Sequence, residues 1–119
     1  MSETKSSETK PRDKLINLSY ITREFREIAV LNAWQAYHTP KNLASAVAVE
    51  TGELLAEFQW LTAEQSCHLS SEQKTRVANE VADVIMYLNE LCNQLDIDMA
   101  AAVSSKIEFN KKRFRAELS

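Results

Sequence analysis

Apolar residues recur every three or four positions in several segments of the chain, which places them on one face of an α-helix. The two clearest stripes are Leu43, Val47, Leu54, Phe58 and Leu61, and then Val77, Val81, Val84, Leu88, Leu91 and Leu95. One glycine and two prolines leave little material for tight β-turns. The pattern therefore predicts an all-α chain of about four helices.

Capping residues and prolines set the expected helix limits. Pro40 ends the first helix, because the residue before a proline avoids helical geometry, and Ser70 with Gln73 matches a capping box. The four predicted helices run from Ser19 or Thr22 to about Tyr37, from the cap Asn42 to about 59–61, from the cap Ser70 to about Leu95, and onward from the cap Asp98. In the last helix, Val103, Ile107 and Phe114 are expected to face inward.

Two short acidic motifs lie within the helical stripes. Glu50 and Glu53 are three residues apart in the second predicted helix, and Glu80 and Asp83 are three apart in the third. Positions i and i+3 share a helix face, so each motif points both carboxylates roughly the same way. If the two stripes pack together, four carboxylates could converge in a partly buried place.

Such a cluster must take up protons or hold a cation. Two like charges about 4 Å apart repel by roughly 4 kcal/mol at an effective dielectric near 20. Oxygen donors without histidine or cysteine suit Mg²⁺ or Mn²⁺. The alternative is that these residues lie on solvated helix edges. Gly52, the only glycine, costs roughly 1 kcal/mol in a helix interior, which indicates close approach by a ligand or by a neighbouring helix.

Aromatic residues are further candidates for ligand contacts. Trp34 and His38 lie one turn apart at the end of the first predicted helix, Trp60 falls on the Glu53 side of the second, and Tyr87 lies a turn beyond Asp83. The alternative is that each of them occupies an ordinary core or helix-end position.

Cations form a separate group in the last predicted helix. Lys106, Asn110 and Arg113 follow the i, i+4, i+7 pattern of one face, with Lys111 beside them. The simpler interpretation is that cations near a helix C-terminus complement its dipole.

Composition narrows the class of protein. A single domain is expected over residues 19–119, after a mobile tail at 1–18 that carries a near-repeat of Ser-Glu-Thr-Lys. The formal charge of −3 argues against binding of a nucleic acid polymer. No run of 18 apolar residues predicts a membrane span, so a cytoplasmic protein is the default. Cys67 and Cys92 form no metal motif, and incidental thiols are expected.

Taken together, the motifs resemble the MazG-like all-α nucleoside triphosphate pyrophosphohydrolases, whose pattern is ExxE followed by ExxD. The segment Trp34 to Leu43 also resembles the entry helix of the dCTP pyrophosphatase branch. Further matches to that branch are Glu50-Thr51-Gly52-Glu53-Leu54, Phe58-Gln59-Trp60, Asp83-Val84-Ile85-Met86-Tyr87-Leu88, and Ser105-Lys106 with Asn110 and Arg113. The resemblance covers roughly residues 20–114.

This resemblance implies a four-helix MazG-like bundle that forms a homo-oligomer, a dimer or a tetramer. It implies Mg²⁺-dependent hydrolysis of (deoxy)nucleoside triphosphates such as dCTP to the monophosphate and pyrophosphate, which would clear unwanted nucleotides. Glu50, Glu53, Glu80 and Asp83 would hold Mg²⁺, or Mn²⁺, and Glu50 or Glu53 would act on the attacking water. The base would meet Trp34, His38, Trp60 and Tyr87, and the phosphates would meet Lys106, Asn110, Lys111 and Arg113.

Two departures and two alternatives accompany the resemblance. Arg113-Phe114-Arg115 stands where the family has Arg-Tyr-Pro, and Lys41 replaces an arginine and so loses a bidentate fork. A non-enzymatic helical module that binds a partner through its acidic faces is the first alternative. A di-iron carboxylate bundle is the second, but neither histidine stands three residues after a glutamate, as such sites require.

Overall fold

The computed structural model describes residues 15–118, and within that range it contains helices and turns but no strands. The four long helices are α1 (Leu18–Leu31), α2 (Pro40–Ala56), α4 (Ser71–Gln94) and α5 (Met99–Leu118). The short helix α3 (Ala63–Ser66) lies between α2 and α4, and a 3₁₀ turn (Gln35–Tyr37) lies between α1 and α2. The predicted all-α fold is confirmed. The predicted mobile tail lies mostly outside the described residues.

Helix α1 is shorter than the sequence suggested. It ends at Leu31, not at Tyr37, and the Asn32 side chain donates a hydrogen bond of 2.9 Å to the carbonyl of Ile28. Ala33 then adopts a positive φ of 57°, which a right-handed helix cannot contain. As a result, Trp34 and His38 lie in a turn and not on a helix face.

Helix α2 begins earlier than predicted, because Thr39 and not Asn42 caps it. The Thr39 hydroxyl accepts a hydrogen bond from the backbone N–H of Asn42, and Pro40 occupies the first turn, where its missing N–H costs nothing. The Asn42 side chain instead donates to the carbonyl of Tyr37 at 2.9 Å. Helix α2 ends at Ala56, and the residues predicted to complete it form a turn.

The caps of α4 and α5 follow the prediction. The Ser70 hydroxyl accepts from the Gln73 N–H at 3.1 Å, and the Gln73 side chain accepts from the Ser70 N–H at 2.7 Å, which completes the capping box. The Asp98 carboxylate accepts from the Ala101 N–H at 2.9 Å at the start of α5. Between these two helices, Asp96 takes a positive φ of 56°.

The centre of the fold is the contact between α2 and α4, against which α1 packs along α4. Leu43 on α2 is fully buried, and Phe25 and Ala29 supply the buried face of α1. None of the helices in residues 15–118 combines the length and apolar character that crossing a bilayer requires.

Helix α5 does not complete a four-helix core within one chain. It makes little contact with the other helices. Val103, Ile107 and Phe114, expected to face inward, are 53%, 48% and 49% exposed. Their burial would require a surface from outside residues 15–118.

Candidate functional site

The candidate site lies where α2 and α4 run antiparallel. Glu57, at the end of α2, accepts a hydrogen bond from the Arg76 guanidinium at 3.0 Å, close to the start of α4. Two turns earlier on α2, Glu50 lies close to Asp83, which is two turns later on α4. Residues seven apart lie on one helix face, so the ion pair and the acidic residues occupy the same stripe of the interface.

Three of the four predicted carboxylates converge. Glu50 from α2 and Glu80 and Asp83 from α4 each place an oxygen within 4.8 Å of the other two, and all three side chains are half-buried. Glu53 is exposed and lies outside this trio. It remains close enough for its charge to raise the pKa of Glu50. The i, i+3 spacing thus predicts the trio, but the exposed position of Glu53 was not expected.

Electrostatics in the trio favours a bound cation or a proton. Burial raises the pKa of the Glu50 carboxyl above its ordinary value of 4.5, and the charges of Glu53, Asp83 and Glu80 raise it further. The Glu80 oxygen Oε1 is buried, and no donor within residues 15–118 satisfies it. A buried carboxylate oxygen without a donor is costly. A metal ion would satisfy it, so the residues present fit one.

An aromatic cluster adjoins the trio. Tyr87 lies one turn after Asp83 on α4. Burial raises the pKa of its phenol, and the charges of Glu50 and Asp83 raise it further. The Tyr87 ring meets Phe25 edge-on, with ring centroids 5.5 Å apart, and meets His38 edge-on at 6.3 Å. Phe25 stacks on His38 at 5.3 Å, and Trp34 lies 6.4 Å from His38. A cluster of four aromatic rings therefore borders the acidic trio.

Comparison with known proteins identifies the family. A sequence model described as MazG-like matches residues 46–117, which include both acidic motifs. The chain belongs to the MazG-like family. The predicted resemblance is thereby confirmed.

Relatives and a solved structure support this assignment. The MazG-like chain is 35% identical over 104 residues to dCTP pyrophosphatase 1 of Rattus norvegicus and to that of Homo sapiens, an alignment that covers 86% of this chain. It spans 61% of the length of those relatives. It also resembles the crystal structure of a pyrophosphatase from Archaeoglobus fulgidus, with a TM-score of 0.75 and 33% identity over 85% of this chain and 98% of that one.

The remaining predicted site residues are not gathered around the trio. Trp60 lies in the turn after α2 and is 87% exposed. The cations of α5 contact neighbours on α5 itself: Lys106 and Arg113 lie over the ring of Phe109, and Lys111 pairs with Glu108. The Asn110 oxygen is buried with no donor in the described chain. Because α5 contacts the other helices so little, the structure does not pack these residues against the acidic cluster.

Gly52 has open space around it. A Cβ added there would meet no atom within 4 Å, apart from the helix's own backbone. Packing among residues 15–118 therefore does not explain the glycine. Of the two explanations that the sequence suggested, close approach by another of the described helices is excluded.

Several residues of this region were missed as candidates. Phe25, Arg76, Asn89 and Glu90 were not among the predicted site residues. Asn89 and Glu90 are buried in α4. Buried polar residues take part in hydrogen-bond networks, but the sequence alone shows only two polar positions, and their burial is visible only in the structure.

Proposed function

We propose that this MazG-like chain hydrolyses (deoxy)nucleoside triphosphates, dCTP or a related nucleotide, to the monophosphate and pyrophosphate. The observation that carries the proposal is the convergence of Glu50, Glu80 and Asp83 from two helices, with a buried oxygen that has no donor. The relatives named as dCTP pyrophosphatases support the choice of substrate. In the cell, such an activity would remove unwanted nucleotides.

The proposed metal is Mg²⁺, with Mn²⁺ as an alternative. Glu50, Glu80 and Asp83 would hold it, and Glu53 would contribute from the exposed side. Such an ion would neutralise phosphate charge and lower the pKa of a bound water. Glu50 or Glu53 would orient the attacking water or accept its proton.

The rest of the substrate would meet the other candidates. The base would lie against Trp34, His38 and Tyr87, with Trp60 closing over it, because aromatic faces stack on bases and the histidine and phenol offer hydrogen bonds. Lys106, Asn110, Lys111 and Arg113 would bind the phosphates, since cations and amide groups match phosphate oxygens.

A homo-oligomer, a dimer or a tetramer, is part of this proposal. The exposed apolar residues of α5 and of the outer face of α4 would be covered by further copies. These residues are Val81, Val103, Ile107, Phe109 and Phe114. Light scattering after size exclusion should give at least twice the chain mass, whereas a monomer at assay concentration would contradict this part.

The direct test supplies dCTP and Mg²⁺ and measures pyrophosphate and orthophosphate separately. The wild type should release pyrophosphate. Glu80→Gln and Asp83→Asn should each lose most of the rate, because they remove ligand charge without changing size. Glu64→Gln is the matched control, since Glu64 lies on α3 with its side chain 86% exposed. Full activity in both cluster variants would refute the metal assignment.

One alternative is favoured by a specific observation. The exposed apolar face of α5 also suits a helical module that binds a partner without catalysis. Such a module has no reason to respond to a metal. Stabilisation of the wild type by Mg²⁺, lost in Asp83→Asn, would exclude it.

A further inference from the structure

His38 lies between the 3₁₀ turn and the cap of α2, so its side chain does not project from a regular helix. The backbone N–H of His38 donates a hydrogen bond of 3.2 Å to the carbonyl of Gln35. Its imidazole is in contact with three aromatic rings, of which Phe25 is the nearest, at 5.3 Å and an interplanar angle of 26°. A near-parallel stack of this kind restricts both the position and the tilt of the ring.

Phe25 also fixes the second ring of this surface. It meets Tyr87 at 80°, with the centroids 5.5 Å apart, so one phenylalanine contacts His38 with its face and Tyr87 in an edge-to-face arrangement. Phe25 is only 9% exposed, while His38 and Tyr87 are half-buried. Phe25 thus lies behind the two rings that face outward.

A polar network holds Phe25 against α4 on both sides along α1. One turn before Phe25, the Thr22 hydroxyl accepts hydrogen bonds of 2.8 Å from the side-chain amides of both Asn89 and Asn93. On the other side, the Arg26 guanidinium donates to both oxygens of the buried Glu90, at 3.0 and 3.2 Å.

Gln94 completes this network by donating to Glu90 at 2.9 Å. The bonds that Thr22 and Arg26 of α1 make to α4 are directional, so they are satisfied in only one register of the two helices. Apolar contacts would instead tolerate sliding. The network begins two residues after Tyr87 on α4. It therefore fixes the register of Phe25 against the ring that it contacts.

We propose that Phe25 is a positioning residue, which orients His38 and Tyr87 as the surface that receives the nucleobase. The inference rests on the proposed function, because it assigns the base to these rings. It goes further because it assigns a role to a buried residue of α1. Phe25 itself contacts no substrate, but it controls how tightly the base is bound.

The test uses the two histidines of the chain as reporter and reference. Phe25→Leu removes the ring and keeps most of the volume, and Phe25→Tyr keeps the ring. The imidazole resonances of His38 should shift downfield in Phe25→Leu, because the shielding of a stacked ring is lost, and should stay close to wild type in Phe25→Tyr. The His68 resonances should not move, since His68 lies on the exposed segment after α3. Phe58→Leu, which removes a ring outside the cluster, should leave both histidines unchanged.

Kinetics separates positioning from general damage. In Phe25→Leu, KM for dCTP should rise about threefold to tenfold, the effect expected from one lost aromatic contact, with kcat little changed. Phe25→Tyr should restore KM, and Mg²⁺ stabilisation should persist in both variants. If Phe25→Leu does not fold, Phe25→Met, whose flexible chain fills the space without a ring, replaces it and carries the same expectations.

Three results would overturn the inference. The first is unchanged His38 resonances in Phe25→Leu, and the second is a Phe25→Tyr variant as impaired as Phe25→Leu. The third is a loss of kcat in Phe25→Leu that parallels a loss of thermal stability while KM stays constant. Failure of the proposed function looks different. The wild type would then release no pyrophosphate, while the His38 resonances would still report whether the stack exists.

Discussion

Removing one charge from the acidic trio should stabilise the protein when no metal is present. Glu80 has two carboxylate neighbours, Glu50 and Asp83, with oxygens within 4.8 Å. At 4.8 Å two unit charges repel by about 3.5 kcal/mol at an effective dielectric of 20 and by about 0.9 kcal/mol in bulk water. The groups are half-buried, and proton uptake by Glu50 relieves part of the repulsion. We expect Glu80→Gln to gain about 1 to 3 kcal/mol, between these limits.

The assay is thermal unfolding in buffer treated with a chelator, at one fixed protein concentration. The expected gain corresponds to a rise in Tm of at least about 3 °C for a chain of this size. Added Mg²⁺ should offset most or all of this difference: the wild type gains about 2.7 kcal/mol at a hundred times the Kd, whereas Glu80→Gln gains much less.

Glu64→Gln provides the control for removal of a negative charge as such. It removes one negative charge in the same way but should leave Tm nearly unchanged with and without the metal. A lower Tm for Glu80→Gln in metal-free buffer would refute the reasoning, because it would show that the trio does not repel. An undiminished response of that variant to Mg²⁺ would refute it as well.

Three further predictions concern other groups. The pKa of Glu50 is raised in the folded state, so binding of a proton to Glu50 stabilises the fold. The stability of the metal-free protein should therefore increase as the pH falls through that pKa toward 4.5. Thermal unfolding across pH should show a smaller increase for Glu50→Gln. Ser70→Ala should cost about 1 kcal/mol in urea unfolding by removing the capping box, whereas an equal loss in the neighbouring Ser71→Ala would contradict the cap assignment. Arg26→Met should cost about 1 to 3 kcal/mol by leaving the buried Glu90 with fewer donors, and Glu90→Gln, which keeps its acceptor oxygen, should cost less by the same measurement.

Local signals in the sequence predicted much of the fold. The capping box at Ser70 and the cap at Asp98 were found because both depend on neighbours three residues away. The end of α1 was missed because Ala33 at positive φ has no sequence signal, unlike glycine. Thr39 was overlooked in favour of Asn42, although a proline in the first turn favours the residue just before it as the cap.

The candidate site shows where such reasoning ends. Helical spacing was sufficient to bring Glu50 to Glu80 and Asp83, because their faces follow from periodicity once α2 and α4 pack. Periodicity could not show that Glu53 lies on the exposed side of the trio, since the tilt of one helix on another depends on packing. For the same reason, the apolar pattern of α5 marks residues that need covering but does not say what covers them.

The open space around Gly52 has a consequence for protein engineering. Gly52→Ala should strengthen α2 by roughly 1 kcal/mol in this chain, since alanine is the better helix former and its methyl meets nothing. No side chain among residues 15–118 covers the backbone of α2 at this glycine. If Gly52→Ala raises Tm but lowers activity, the added methyl group will have shown that a ligand or a second copy of the chain approaches the backbone of α2 at this residue.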